Sequence, residues 1–350
     1  TAANTLAALS TTGAGVVALE ITGDQNLTVT AALDNEIVNI TGSSATGDLY
    51  ISVGTGNTTV TTGSGADYIT GNTGNDNIAG GDGADTLLGG AGNDSLSGGD
   101  GADQITGGGG IDEITGGDGN DTFNYVSSNN LIAATGGADA ATDSVVGGNG
   151  NDTVSVGTAI SIGAVGADSL ARITGVETLA QTAGGASTVV LASDAAISDF
   201  RTINLASASA ATTVTLTGVT VNTTITGSNT AATADVLTGG SGDDAISGGL
   251  GQNTLAGGGG NDTITLGLNA ENVDGGTGDD TIVGAGNVTD ADTIAGGAGT
   301  DTLTLSGDTT LTAANLISGV EVVSLASEGD TAGANTGNQY VIAMDDNNDT

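Results

Sequence analysis

Apolar residues recur through the middle of this chain with a period of nine. Between Thr62 and Asn124, seven units follow one another without a gap: TGSGADYIT, GNTGNDNIA, GGDGADTLL, GGAGNDSLS, GGDGADQIT, GGGGIDEIT and GGDGNDTFN. The eighth place is apolar in each: Ile69, Ile78, Leu87, Leu96, Ile105, Ile114 and Phe123. Glycine fills the second and fourth places, with Asn72 the one exception, and aspartate fills the sixth. Two glycines in four residues suit a tight turn that visits positive φ, where a Cβ would clash. The residues around the eighth place then form a short strand with one inward side chain. A turn and a short strand make half a coil, so two units, or 18 residues, should close one circuit. Residues 18 apart share chemistry, as that circuit requires. Third-place acids stand at Asp82, Asp100 and Asp118, and fifth-place alanines (Ala66, Ala84, Ala102) and asparagines (Asn75, Asn93) occupy alternate edges. The fold class predicted is all-β, a parallel β-roll or β-helix solenoid.

Around that block the alternation is plainer. Residues 1–61 carry VVALEITG (Val16 to Gly23), NLTVTAAL (Asn26 to Leu33) and EIVNITG (Glu36 to Gly42), which read as short entry rungs. VGTGNTTVT, Val53 to Thr61, has the right glycines but Thr58 where the acid belongs, so it predicts a rung that stacks yet holds metal poorly. Residues 62–126 are the first repeat block, and 127–238 read as β-helix with few coded turns. After Phe123, Tyr125 to Ala138 breaks the pattern before GGNGNDTVS resumes it at Gly147 to Ser155. Asp143 and Asp152 fall on opposite edges there, leaving Asp152 with no identified partner. LARITGVETLA at Leu170 to Ala180 recurs as LISGVEVVSLA at Leu316 to Ala326, with ISDFRTINLA at Ile197 to Ala206 a looser relative. Each reads as a bend and a strand, with Glu177 and Glu321 as turn residues rather than ligands. A second block, 239–304, carries Asp244, Asp262, Asp280 and Asp301, with Asp235 in a lead-in half-unit. Asn253 and Glu271 hold the sixth place of degenerate units. Three extra residues within Gly284 to Ala295 predict a loop before Asp292 restores the phase. Residues 305–350 return to strand pattern and end in an acidic run from Asp345 to Thr350.

Charge changes the picture. The chain holds 41 acidic residues against Arg172 and Arg201 alone, a net charge of −39, and no His, Cys, Pro or Trp. Stacked strands lie roughly 4.8 Å apart, so same-edge aspartates meet on neighbouring coils. At about 5 Å and an effective dielectric near 20, each such pair repels by about 3 kcal/mol. No cationic side chain lies between Thr62 and Asn124 to offset this. A hard divalent ion does so by taking carboxylate and turn-carbonyl oxygens together, and calcium, with six to eight flexible oxygen ligands, suits better than magnesium. The candidate ligands are Asp67, Asp76, Asp85, Asp94, Asp103, Asp112, Asp121, Asp152, Asp235, Asp244, Asp262, Asp280, Asp292 and Asp301. The turn glycines are Gly65, Gly74, Gly83, Gly92, Gly101, Gly110, Gly119, Gly242, Gly260, Gly278 and Gly299.

The same inventory excludes functions. Without His or Cys there is no Ser-His-Asp triad, thiol nucleophile or His-ligated zinc, and the spaced carboxylates already belong to the repeat, so no enzyme is expected. Nucleic acid and anionic lipid are poor partners for so acidic a chain. No apolar run is long enough for a membrane-spanning helix, so no membrane insertion is expected. Thr1 opens no signal peptide and is not an initiator methionine, so the chain reads as a processed or partial piece. Scarce aromatics fit a thin solenoid better than a globular core.

The nonapeptides resemble the glycine-rich repeats of RTX proteins, which implies a parallel β-roll with several calcium ions in its turns. Over its whole length the chain is similar in composition to RTX-containing surface-layer proteins of the Caulobacter type. That resemblance implies type I secretion, calcium-dependent folding outside the cell, and self-assembly into a lattice on the bacterial surface. Cell-surface polysaccharide would be a further partner, through no identified region. The alternative is the C-terminal secretion and folding module of an RTX toxin, exoenzyme or adhesin.

Overall fold

The computed structural model describes residues 4–6, 17–29, 37–126, 143–162, 172–191, 199–231, 233–284, 288–289, 291–306, 309–311, 316–325 and 340–342. Among these residues the regular structure is β-strand, with no α-helix, and the strands pair in parallel. The chain forms two compact units, Thr1–Gly157 with Val165–Leu179, and Thr158–Ala164 with Ala180–Thr350. The boundary falls inside the stretch 127–238 that the sequence groups together.

In the first unit successive strands alternate between two sheets. Tyr68–Thr70, Thr86–Ala91, Gln104–Gly109, Thr122–Tyr125 and Thr153–Val156 follow one another in the first sheet. Thr59–Thr61, Asn77–Asp82, Ser95–Asp100, Glu113–Asp118 and Ser144–Asn149 do so in the second. Each strand thus pairs with the next but one in sequence, which is a coil. Ser95 lies opposite Asn77 and Leu96 opposite Ile78, the expected 18-residue circuit. Ile78, Leu96 and Ile114 on one wall, and Ile69, Leu87, Ile105 and Phe123 on the other, are sealed inside at 0–2 % exposure. Burying such a side chain contributes about 1.5–3 kcal/mol. The core is a narrow stack of mostly aliphatic side chains, joined by Phe123 and Tyr125, in keeping with the scarcity of aromatics. Past Phe123 the register continues through Tyr125, which is buried, and the next circuit is 31 residues long. Most of the predicted break, 127–138, lies outside the described residues.

The second unit repeats the plan. Thr188–Val190, Thr213–Thr215, Val236–Thr238, Thr254–Gly259, Asn272–Thr277 and Thr293–Ala298 stack in one sheet. Thr202–Asn204, Thr224–Thr226, Ala245–Ser247, Thr263–Thr265, Thr281–Val283, Thr302–Leu305 and Val322–Leu325 stack in the other. The circuit lengthens to 21 residues between Glu271 and Asp292, placing the three extra residues where the sequence expects a loop. Thr309–Leu311 pairs with Tyr340–Ile342, whereas the acidic run Asp345 to Thr350 lies outside the described residues.

The turns between strands explain the glycines. Gly81 and Gly83, second and fourth in their unit, have φ of 105° and 134°. Asn72, the one departure from glycine at the second place, is the only described non-glycine residue with positive φ, at 68°. Asparagine tolerates that region better than other side chains.

Candidate metal centre

Each coil edge carries a column of sixth-place acids turned inward, none more than 3 % exposed. Their carboxylates are chained together through the backbone. Asp67 Oδ1 accepts the Leu49 N–H, Asp85 Oδ1 accepts that of Asp67, Asp103 Oδ1 that of Asp85, and Asp121 Oδ1 that of Asp103, at 2.7 to 2.9 Å. Asp152 Oδ1 then accepts the Asp121 N–H at 2.8 Å, and Glu177 Oε2 accepts that of Asp152 at 2.7 Å. On the opposite edge Thr58, Asp76, Asp94, Asp112 and Asp143 form the same chain. Thr58 therefore stacks as expected, donating its N–H without adding a carboxylate. Fifth-place asparagines on that edge clamp in the other direction, Asn75 donating its N–H to Asn57 Oδ1 and Asn93 to Asn75 Oδ1, both at 2.9 Å.

The second carboxylate oxygen decides the chemistry. In Asp67, Asp76, Asp85, Asp94, Asp103, Asp112, Asp121, Asp143 and Asp152 the Oδ2 is buried with no hydrogen-bond donor, and the same holds for Asp262, Asp280 and Asp301. A buried acceptor without a partner costs about 1–3 kcal/mol, more when charged. Except for Asp67, whose unit begins with Thr62, and Asp143, which has no such glycine, each of these oxygens overhangs the first-place glycine of its own unit, and all of those but Asp112 do so beside a backbone carbonyl of the next coil. A Cβ on Gly80 would strike Asp85 Oδ2 and the Gly98 carbonyl oxygen, and one on Gly98 would strike Asp103 Oδ2 and the Gly116 carbonyl oxygen. First-place glycine is thus required by contact, not by φ. Sequence reading singled out only the second and fourth places. The fourth-place glycines Gly83, Gly92, Gly101, Gly110 and Gly119 each lie against the fourth-place carbonyl of the coil before. Gly260, Gly278 and Gly299 do likewise, Gly74 and Gly242 lie over the carbonyls of Gly56 and Val221, and Gly65 over that of Gly47.

Burial acts on these acids as on any desolvated carboxylate, raising the pKa. Asp85 is pushed up to about 7, first by desolvation and then by the carboxylates of Asp67, Asp103 and Asp82, against the Asp67 N–H that holds it down. Asp76, Asp112 and Asp152 rise to about 6 and Asp262 to about 7 for the same leading reason. No three acidic side chains among the described residues converge on one point. An ion here must therefore complete its shell with carbonyl oxygens, which is the donor mix calcium accepts.

The RTX calcium-binding nonapeptide repeat matches the chain in overlapping segments from 52 to 158 and again from 230 to 309, more than half of its length. The chain is a member of the RTX family. No curated protein matches it. RTX nonapeptides bind calcium, several ions to a chain, and the orphaned Oδ2 atoms and glycine-lined gaps fit that ion. Bound there, calcium supplies the positive charge that the two arginines cannot.

Four candidates sit differently within the RTX pattern. Asp235 Oδ2 accepts the Ser228 N–H at 2.8 Å, Asp244 Oδ2 that of Gly240 at 2.7 Å, and Asp292 Oδ2 that of Thr289 at 2.6 Å. Their second oxygens are already engaged. Asp152, which lacked a partner in sequence, stands between Asp121 and Glu177. Glu177 and Glu321 are not bystanders in their bends, because each accepts the N–H of the preceding acid, Asp152 or Asp301. A signal was available: Gly175, Glu177 and Leu179 reproduce the glycine–acid–apolar spacing of Gly119, Asp121 and Phe123.

Proposed function

We propose that this RTX protein is a structural component of a bacterial cell surface, which folds on extracellular calcium and assembles with copies of itself into a lattice. RTX repeat proteins are typically secreted. A chain whose buried carboxylates need a cation is held open where calcium is scarce and closes where it reaches about 10⁻⁴–10⁻³ M, so export and folding separate in space. The observation that carries the structural role is the outward face of the second unit. Thr202, Thr224, Ala245, Thr263, Thr281 and Thr302 form one row across consecutive strands, without a charge, in a chain of net charge −39. Charge gathers on the turns, and a face freed of it can approach another copy without repulsion. Two of these rungs, Thr202–Asn204 and Thr224–Thr226, precede the second repeat block, so the coil extends past its calcium code. Catalysis is no part of this reading, since the chain has neither His nor Cys.

Electron microscopy of the purified chain in millimolar calcium, against the same sample in chelator, tests it. Ordered sheets that dissolve on chelation are expected. Monodisperse particles that fold on calcium without associating would favour the folding module of a secreted toxin, enzyme or adhesin.

A further inference from the structure

The nonapeptide matches stop at 158 and 309, but one acid column in each unit gains one more member beyond them, the half-buried Glu177 and the exposed Glu321. After Asp152 the chain returns to the same edge at Gly175–Val176–Glu177, and after Asp301 at Gly319–Val320–Glu321. The two returns have the same geometry. Ile173 pairs with Val145 and Thr174 with Val146, so Gly175 comes opposite Gly147. Ile317 pairs with Ile294 and Ser318 with Ala295, so Gly319 comes opposite Gly296. Gly175 and Gly319 have φ of 62° and 60°, a left-handed turn that glycine adopts without strain. From first-place glycine to acid this turn is three residues shorter than GGxGxD, and glutamate, one methylene longer than aspartate, spans the difference. Its carboxylate takes up the N–H of Asp152 or Asp301, at 2.7 and 2.8 Å.

What remains at each return is the arrangement found inside the repeats. Asp152 and Asp301 are wholly buried, and the Oδ2 of each has no hydrogen-bond donor. A Cβ on Gly147 would strike both Asp152 Oδ2 and the Gly175 carbonyl oxygen. One on Gly296 would strike both Asp301 Oδ2 and the Gly319 carbonyl oxygen. In each, a buried carboxylate oxygen without a hydrogen-bond donor lies beside a carbonyl oxygen, while a glutamate carboxylate holds the N–H of the same aspartate.

We propose that these two glycine–valine–glutamate turns each complete a calcium site outside the nonapeptide repeats, one with Asp152 and Glu177 and one with Asp301 and Glu321. The ion takes Asp152 Oδ2, the Gly175 carbonyl oxygen and the Glu177 carboxylate in the first. It takes the corresponding oxygens of Asp301, Gly319 and Glu321 in the second. Calcium binding thereby runs one coil further than the repeats and ties an uncoded rung to each ion row. This rests on the repeats themselves binding calcium.

The test uses the full chain and counts bound ions by equilibrium dialysis with metal analysis. Glutamine keeps an oxygen to accept the Asp152 or Asp301 N–H and removes the charge, so a glutamate that merely caps the turn tolerates it. Glu177→Gln and Glu321→Gln together should lower the calcium count by two per chain, and each alone by one, while the repeat sites stay filled. An unchanged count in the double variant, with a reduced count in Asp94→Asn, overturns this inference and leaves the repeats as calcium sites. An unchanged count in Asp94→Asn as well would remove the repeat reading on which it stands. Should a variant fold poorly, terbium titration of wild type supplies the count independently. Wild type carrying two fewer ions than these cradles and the repeats together provide would also overturn it.

Discussion

The two edges of the second unit hold sixth-place acids in the same register, and they treat the second oxygen in opposite ways. On one edge Asp262, Asp280 and Asp301 leave Oδ2 buried and without a donor, and only Asp244, at the start of that column, has its Oδ2 taken by an N–H, that of Gly240. On the other, Asp235 and Asp292 give theirs to the N–H groups of Ser228 and Thr289, and the Glu271 carboxylate takes the Gly267 N–H at 2.9 and 3.0 Å. Asn253, between them, donates its amide to Glu271 Oε1 at 3.1 Å. From Asp262 onward one edge is open and needs a cation, and the other is closed by donors the chain supplies. In the first unit both edges are open. Degeneracy of the repeat is therefore a change of counter-charge, from an external ion to internal N–H groups.

Removing calcium should break the symmetry between the edges most visibly. Calcium-depleted protein followed by amide exchange should lose protection first at Asp262 and Asp280, whose N–H groups are held by the next open carboxylate. A repulsion of about 3 kcal/mol per neighbouring pair corresponds to roughly 100-fold faster opening. Protection at Glu271 and Asp235 should fall much less. Equal loss on both edges would show that the internal donors do not substitute for the ion.

Protons should replace calcium in part. Asp262 is raised to about 7, chiefly by burial, and Asp76 and Asp112 in the first unit to about 6. With folded values above the unfolded ones, the calcium-free coil binds more protons than the unfolded chain. Its stability is then greatest below pH 4 and declines as pH climbs through 6 to 7. Thermal unfolding of calcium-free protein should therefore have a higher midpoint at pH 5 than at pH 8. The calcium needed to fold the chain should rise by about tenfold per pH unit for each proton displaced, as pH falls below these values. A calcium-free midpoint that rises from pH 5 to pH 8 would contradict the raised values.

Substitution can turn one edge into the other. Asp280→Asn retains an oxygen for the Asp262 N–H and gives the open edge the residue that Asn253 already provides on the closed one. Calcium bound should fall, while the calcium-free chain gains up to about 3 kcal/mol from the relieved repulsion. Asp292→Asn should leave the calcium count unchanged, because Thr289 already occupies the oxygen it alters. Isothermal titration of both variants separates the cases.

The coil itself was legible because its signal is periodic. A buried apolar side chain every ninth residue fixes strand spacing, inward face and register at once, and the three-residue insertion before Asp292 shows as a phase shift. The open or closed state of each acid was not legible. It depends on which N–H groups happen to reach Oδ2, those of Ser228 and Thr289 from aperiodic segments and that of Gly240 from within a repeat. Glu177 and Glu321 read as plain turn residues because their turns are three residues short, and a nine-residue frame steps across them. The first-place glycines hid in plain view among others that do require positive φ.

Those glycines supply the mildest test, by contrasting a first-place glycine of the second unit with a third-place glycine of the first. Gly275 lines the open gap, where an added Cβ would meet Asp280 Oδ2 and the Gly296 carbonyl oxygen. Gly275→Ala should therefore cost about 1–3 kcal/mol, as overpacking does elsewhere, and weaken calcium binding on that edge. Gly109 stands at the third place, has no positive φ, and an added Cβ there meets nothing closer than the Gly90 carbonyl oxygen at 4.0 Å. The third place already carries Asp82, Asp100 and Asp118 in sister units, so side chains fit it. Gly109→Ala should change stability by no more than about 0.5 kcal/mol. Paired unfolding curves in saturating calcium compare the two. Equal effects would mean that glycine serves this family only through chain flexibility, whereas a cost confined to Gly275→Ala ties it to the space the ion and carboxylate share.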